Sequence, residues 1–200
     1  WLFSLKIPRC EPEAPKLKIN WNIVSETVNN LKFLNENRVV LNAVLGISWF
    51  WFFGATFLVQ IPSYSQNVLG GDENLMSGLL ALFIIGISTG SLLCEKLSGN
   101  QVEIGLVPFG AIGLTLFGLD LYFASPASPG TGVTIGQFLA HGANWRIIAD
   151  LLLIGVFGGF YIVPLYALVQ SRSAPDHRSR VIAGLNILNA LFMVVAAVMA

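Results

Sequence analysis

Few residues in this chain combine the type and the spacing that chemistry needs. The two histidines, His141 and His177, have no carboxylate or cysteine at ligand spacing. Five residues after His141 stands Arg146, and five after His177 stands Ile182, so neither opens an H-x-x-x-x-D acid–base pair. H-E-x-x-H, G-x-S-x-G and a phosphate-loop lysine pattern are all missing. Acid–base and nucleophilic catalysis both require such convergent partners. The residues therefore point to no catalytic centre and to no metal or cofactor. With net charge zero, no strongly basic surface suggests a nucleic acid.

What remains are polar groups set in apolar surroundings. Gln60 precedes Pro62, Gln170 closes a long apolar run, and Asn186 and Asn189 stand three residues apart in another. Such amides in a lipid environment need partners, so they face other helices or a wet cavity. Two acids are similarly placed. Asp120 lies near the end of one run, and Asp150 near the start of the next, four residues after Arg146. Acids at membrane depth are costly and frequently functional, although an i, i+4 pair of Asp150 with Arg146 is the simpler account. Gly158 and Gly159 are followed by Tyr161, Pro164 and Tyr166, a sequence that predicts a bend or a loosened backbone. The aromatic run Trp49 to Phe53 is read either as packed bulk or as a wall for an acyl chain.

These residues are positioned by membrane helices. Of 200 residues, 54% are hydrophobic and 11% charged, against about 25% charged in ordinary soluble domains. Mean hydropathy is +0.70. A bilayer core needs about 20 apolar residues in a helix, and five stretches satisfy this: 39–62, 75–97, 102–124, 145–170 and 180–200. The expected fold class is an all-α membrane bundle. Residues 8–20 read as a proline-rich linker and 20–37 as an amphipathic helix, lying on the inner leaflet or packed on the protein. Residues 134–141 suggest a short interfacial helix. The chain opens at Trp1 and stops at Ala200 inside an apolar run, which reads as a piece of a longer protein.

Orientation follows from Lys and Arg. Lys6, Arg9, Lys16, Lys18, Lys32 and Arg38 precede the first span, Lys96 follows the second, and Arg172, Arg178 and Arg180 flank the last connection. Only Arg146 falls on the other side. The positive-inside rule then puts residues 1–38 in the cytoplasm. Cys10 and Cys94 share that reducing side and are expected as free thiols.

The turn Gly90-Ser91-Leu92-Leu93-Cys94-Glu95-Lys96-Leu97-Ser98-Gly99 resembles the cytoplasmic motif of major facilitator transporters, in its C-terminal-half copy. The general motif has further basic residues after its second glycine, where this chain has Asn100-Gln101. The stretches 102–108, 158–170 and 171–180 look like a narrower group, the lysophospholipid transporter branch, often fused to a glycerolipid acyltransferase. The resemblance implies helices seven to eleven of a twelve-helix major facilitator fold. Residues 1–38 would be the end of a preceding helix, a linker and the amphipathic helix, and 39–200 the bundle. It further implies a carrier of lysophosphatidylethanolamine-like lipid across the bacterial inner membrane for reacylation. Its partners would be the bilayer, the lysophospholipid, the missing N-terminal half and a fused or associated acyltransferase. On this reading Gln60, Tyr161, Tyr166, Asn186 and Asn189 hold the headgroup. Gly90, Glu95, Lys96, Gly99, Gly158, Gly159 and Pro164 govern the conformational change. An exporter of small solutes or drugs, and a membrane anchor for a fused enzyme, are the alternatives.

Overall fold

The structure is a computed structural model that describes residues 21–35, 37–99, 101–126, 130–174 and 177–199, apart from the side chain of Ile23. The linker 8–20 and Cys10 lie outside the described residues. Among the described residues, seven α-helices follow in chain order: α1 (Ile23–Leu34), α2 (Arg38–Ser63), α3 (Glu73–Ser98), α4 (Leu106–Ala124), α5 (Ile135–Ala140), α6 (Asn144–Arg172) and α7 (Arg178–Met199). Five of them are long and apolar enough to cross a membrane. The protein is an all-α, multi-pass membrane bundle.

Short polar side chains start several helices by supplying acceptors to free backbone N–H groups. Asn37 Oδ1 accepts from the amides of Val39 and Val40. Asp72 Oδ1 accepts from Leu75 at 2.8 Å. Thr134 and Gln137 form a capping box on α5. Gly99 ends α3 with φ 56°, a left-handed turn natural to glycine. The first span runs further than its sequence suggests. Pro62 lies inside α2, and the helix continues as a π-helical segment, Tyr64–Val68. Proline removes one backbone donor, and the wider π turn re-registers the bonds that follow it. The connection to α3 is therefore short. Gly70, at φ 67°, makes its turn, and Asp72 N donates to Val133 O at 3.0 Å while Val133 N donates to Gly70 O at 2.8 Å.

Helix α6 is the centre of the bundle and its most buried span. It packs against α2, α3 and α4, while α2 also packs against α7. Glycines decide how closely. A Cβ on Gly90 of α3 would stand 2.1 Å from the Val156 carbonyl oxygen, and one on Gly159 of α6 would stand 2.5 Å from the Gly90 backbone. Gly86 and Gly155 make the same contact one turn away. On the other flank, the Phe157 ring fills the space a Cβ on Gly113 of α4 would need. Backbones that approach this closely gain dispersion contacts that lipid cannot replace. Through Gly158, Gly159 and Pro164, α6 is helical without interruption from Asn144 to Arg172. Here the glycines remove bulk and do not break the helix.

Helix α1 is amphipathic and rests on α7. Leu34 is buried against Gly184, whereas Trp21, Val24 and Val28 are exposed. Both readings of this segment thus have a face: one packs on the protein and the other is open. Helix α4 is the least buried of the five spans, with Ile112, Leu116 and Leu119 exposed.

Replacing Gly90 by Ala should destabilise the bundle by about 1–3 kcal/mol, the usual cost of overpacking. Gly118→Ala, where a Cβ meets nothing, should be neutral. Thermal unfolding of both variants in detergent checks this difference.

Candidate functional site

Two bonds run along one face of α2. Ser48 and Trp51 stand one helical turn apart on it. Ser48 Oγ, fully buried, donates to Asn189 Oδ1 of α7 at 2.9 Å. Trp51 Nε1 donates to the Tyr166 hydroxyl oxygen of α6 at 3.0 Å. Together they form a polar seam where α2, α6 and α7 meet. Around it the packing is apolar, with Val44, Ile47, Leu165 and Leu185 all buried. The Ser48–Asn189 bond is buried in these surroundings, whereas the Trp51–Tyr166 bond is half-buried.

On a second face of α2, aromatic rings form a file. Trp49 stacks on Phe53, and Phe53 lies 4.6 Å from Phe57, ring centre to ring centre. Tyr161 of α6 leans on Trp49, stacks on Phe50 and donates to the Gly46 carbonyl at 3.3 Å. Further along, an apolar cavity of about 200 Å³ lies among Phe57, Gln60, Tyr64, Leu121 and Leu151. It is walled by α2 and α4 and floored by α6.

The residues singled out from sequence separate in space. Tyr166 and Asn189 belong to the seam. Tyr161 and Gln60 border the aromatic file and the cavity. Asn186 is exposed, although it is only three residues from buried Asn189. Gly90 and Gly159 meet at the α3–α6 contact, and Gly158 faces the Phe50 ring. Glu95 and Lys96 are exposed in the last turn of α3, just before the Gly99 cap. Pro164 is buried within α6. Cys94 is a free, buried thiol.

The local pair expected between Arg146 and Asp150 is corrected. Arg146 reaches across to α4 and grips both carboxylate oxygens of Asp120, with Nε at 2.8 Å from Oδ2 and Nη2 on Oδ1. A planar guanidinium fork matches a carboxylate in this way. Asp150 instead turns inward and is only 2% exposed. Ser48 and Tyr64 escaped the sequence reading, which took Trp51 only as part of the aromatic run and not as a hydrogen-bond donor. For Ser48 and Trp51 the available signal was a polar pair three residues apart in a span, the same signal that drew attention to Asn186 and Asn189.

The described residues form a bundle of membrane-crossing helices with polar groups turned inward. The chain belongs to the Major Facilitator Superfamily, whose family model matches residues 1–197. It is 29% identical over 173 residues to the lysophospholipid transporter LplT of Escherichia coli O1:K1, and 28% identical over 173 residues to that of Escherichia coli O157:H7 (strain EC4115). Each match covers 84% of this chain and 38% of the relative, so the chain spans well under half the length of these proteins. No solved structure matches.

A double-mutant cycle with Ser48→Ala and Asn189→Leu should give a coupling of about 0.6–1.7 kcal/mol, the range for side-chain bonds between membrane helices. Additive effects on unfolding would show that the seam contributes nothing.

Proposed function

We propose that the chain is the larger part of the C-terminal half of a lysophospholipid transporter in the bacterial inner membrane. The likeness to transporters of that name over 84% of the chain carries the reading. On it, the five spans are helices seven to eleven of twelve. The division at residue 38 is then that between the cytoplasmic connection, with α1 on it, and the bundle. The basic residues set that side toward the cytoplasm. The whole protein alternates access by rocking this half against the other.

The geometry supports a lipid with one polar end. Tyr166 accepts from Trp51 and keeps its O–H to donate. Ser48 occupies Asn189 Oδ1, which leaves the amide N–H groups as donors. Asn186 adds an exposed amide near them. Phosphodiester and ester oxygens are acceptors only, so this set of donors suits them. Gln60 and Tyr161 stand beside the aromatic file, which offers a flat apolar surface to one acyl chain. Lysophospholipid delivered to the inner leaflet is a substrate for reacylation, so an acyltransferase, fused or associated, is the expected functional partner.

Spheroplasts that express the full-length protein should take up labelled lysophosphatidylethanolamine. Asn186→Ala and Tyr166→Phe should each lower uptake about 2–10-fold, the value of one hydrogen bond. Leu116→Ala, on the open face of α4, should leave it unchanged. Full uptake by the double variant at normal protein level would remove these two residues from the substrate site.

A further inference from the structure

At the side of the bundle opposite the basic residues, one carboxylate is buried where burial is hard to explain. Asp150 is 2% exposed, and its Oδ2 has no hydrogen-bond partner. Asp120 of α4 is near enough to act on it electrostatically, held by Arg146, which stands one turn before Asp150 on α6. Asp120 itself is partly open, with 35% of its side chain exposed, and Arg146 holds it from the outside. Two ionised carboxylates close together repel strongly, and an unpaired buried charge is expensive. One guanidinium, already gripping both oxygens of Asp120, does not neutralise both acids.

We propose that Asp150 and Asp120 form a proton-binding site that holds one proton between them. The proton resides on Asp150, whose neutral carboxyl tolerates both its burial and a lone oxygen. Asp120 remains ionised and paired with Arg146, and its open side is the route by which the proton comes and goes. The surroundings fit a neutral acid. From α3, the residues packed at this level are apolar, Leu79 and Phe83 among them. From the π segment comes the neutral phenol of Tyr64, its hydroxyl 2.9 Å from Ser125 Oγ. From α5, the His141 ring meets the Gln137 carbonyl of its own helix. The charges that act on Asp150 are those of Asp120 and Arg146. When the proton leaves to water, two negative carboxylates face one positive group, and the end of α4 is driven away from α6. Proton occupancy therefore sets whether this end of the α4–α6 contact is closed. The inference does not depend on the identity of the transported lipid.

The test uses the full-length protein reconstituted in phosphatidylethanolamine vesicles and titrated during infrared spectroscopy in H2O and D2O. The native protein should show the carbonyl band of a protonated carboxyl that shifts in D2O and disappears as pH rises. Asp150→Asn, which has the shape of the neutral acid, should lack that band. Asp120→Asn should lose the band at lower pH than the native protein, because the neighbouring negative charge that favours the proton is gone and Arg146 is freed to act on Asp150. Should Asp150→Asn fail to fold, the Asp120→Asn titration decides. A band that is absent from the native protein, one that survives unchanged in both variants, or one that responds to sodium and not to pH would overturn the proposal. Loss of lysolipid transport with the band intact would overturn the substrate reading and leave the proton site standing.

Discussion

The approach of bare backbone to bare backbone between α3 and α6 is the contact on which the bundle depends. In lipid, an apolar side chain gains little by leaving its surroundings, because those surroundings are apolar too. Helices hold together through contact area and through bonds that lipid cannot supply. Gly86 and Gly90 on α3 meet Gly155 and Gly159 on α6 with no side chain between them. That contact fixes the height of α6 in the bundle. Its height in turn sets where Tyr161, Tyr166 and Asp150 stand relative to α2 and α4. The four glycines thus act on the candidate site from a distance.

Two kinds of polar contact are superimposed on this packing. The seam of Ser48, Trp51, Tyr166 and Asn189 ties α2 to α6 and α7 and gives it a defined rotation against them. The cluster of Asp120, Arg146 and Asp150 lies at the opposite end and is half open. Bonds of the first kind stay matched as this part of the chain moves. The second kind depends on charge, and its strength changes with what the groups bind.

Much of the fold was legible in the sequence, because each helix carries its own signals. The spans show as apolar runs, and they match the helices to within a few residues at most ends. Asn37, Asp72 and Thr134 mark helix starts by their own chemistry. Relations between helices were harder to read. Arg146 stands four residues from Asp150 and yet pairs with Asp120, because the rotation of α6 sends one side chain out and the other in. Asn186 and Asn189 look alike in sequence and differ in burial for the same reason. The Gly158-Gly159-Pro164 stretch suggested a bend or a loosened backbone because, in a lone helix, those residues weaken it. Held between α3, α2 and α4, the same residues permit contact. The π segment after Pro62 has no sequence mark beyond the proline.

The two hydrogen bonds between the Gly70–Asp72 turn and Val133 look minor beside the helix contacts. They join the connection between α2 and α3 to the one between α4 and α5, and Gly70 is pressed so closely on Gly130 that a Cβ would stand 1.9 Å from its carbonyl oxygen. Two loops that would otherwise flap separately are buckled together. A pull on the tip of any one helix is therefore shared by its neighbours, so this end of the bundle tilts as a stiff plate.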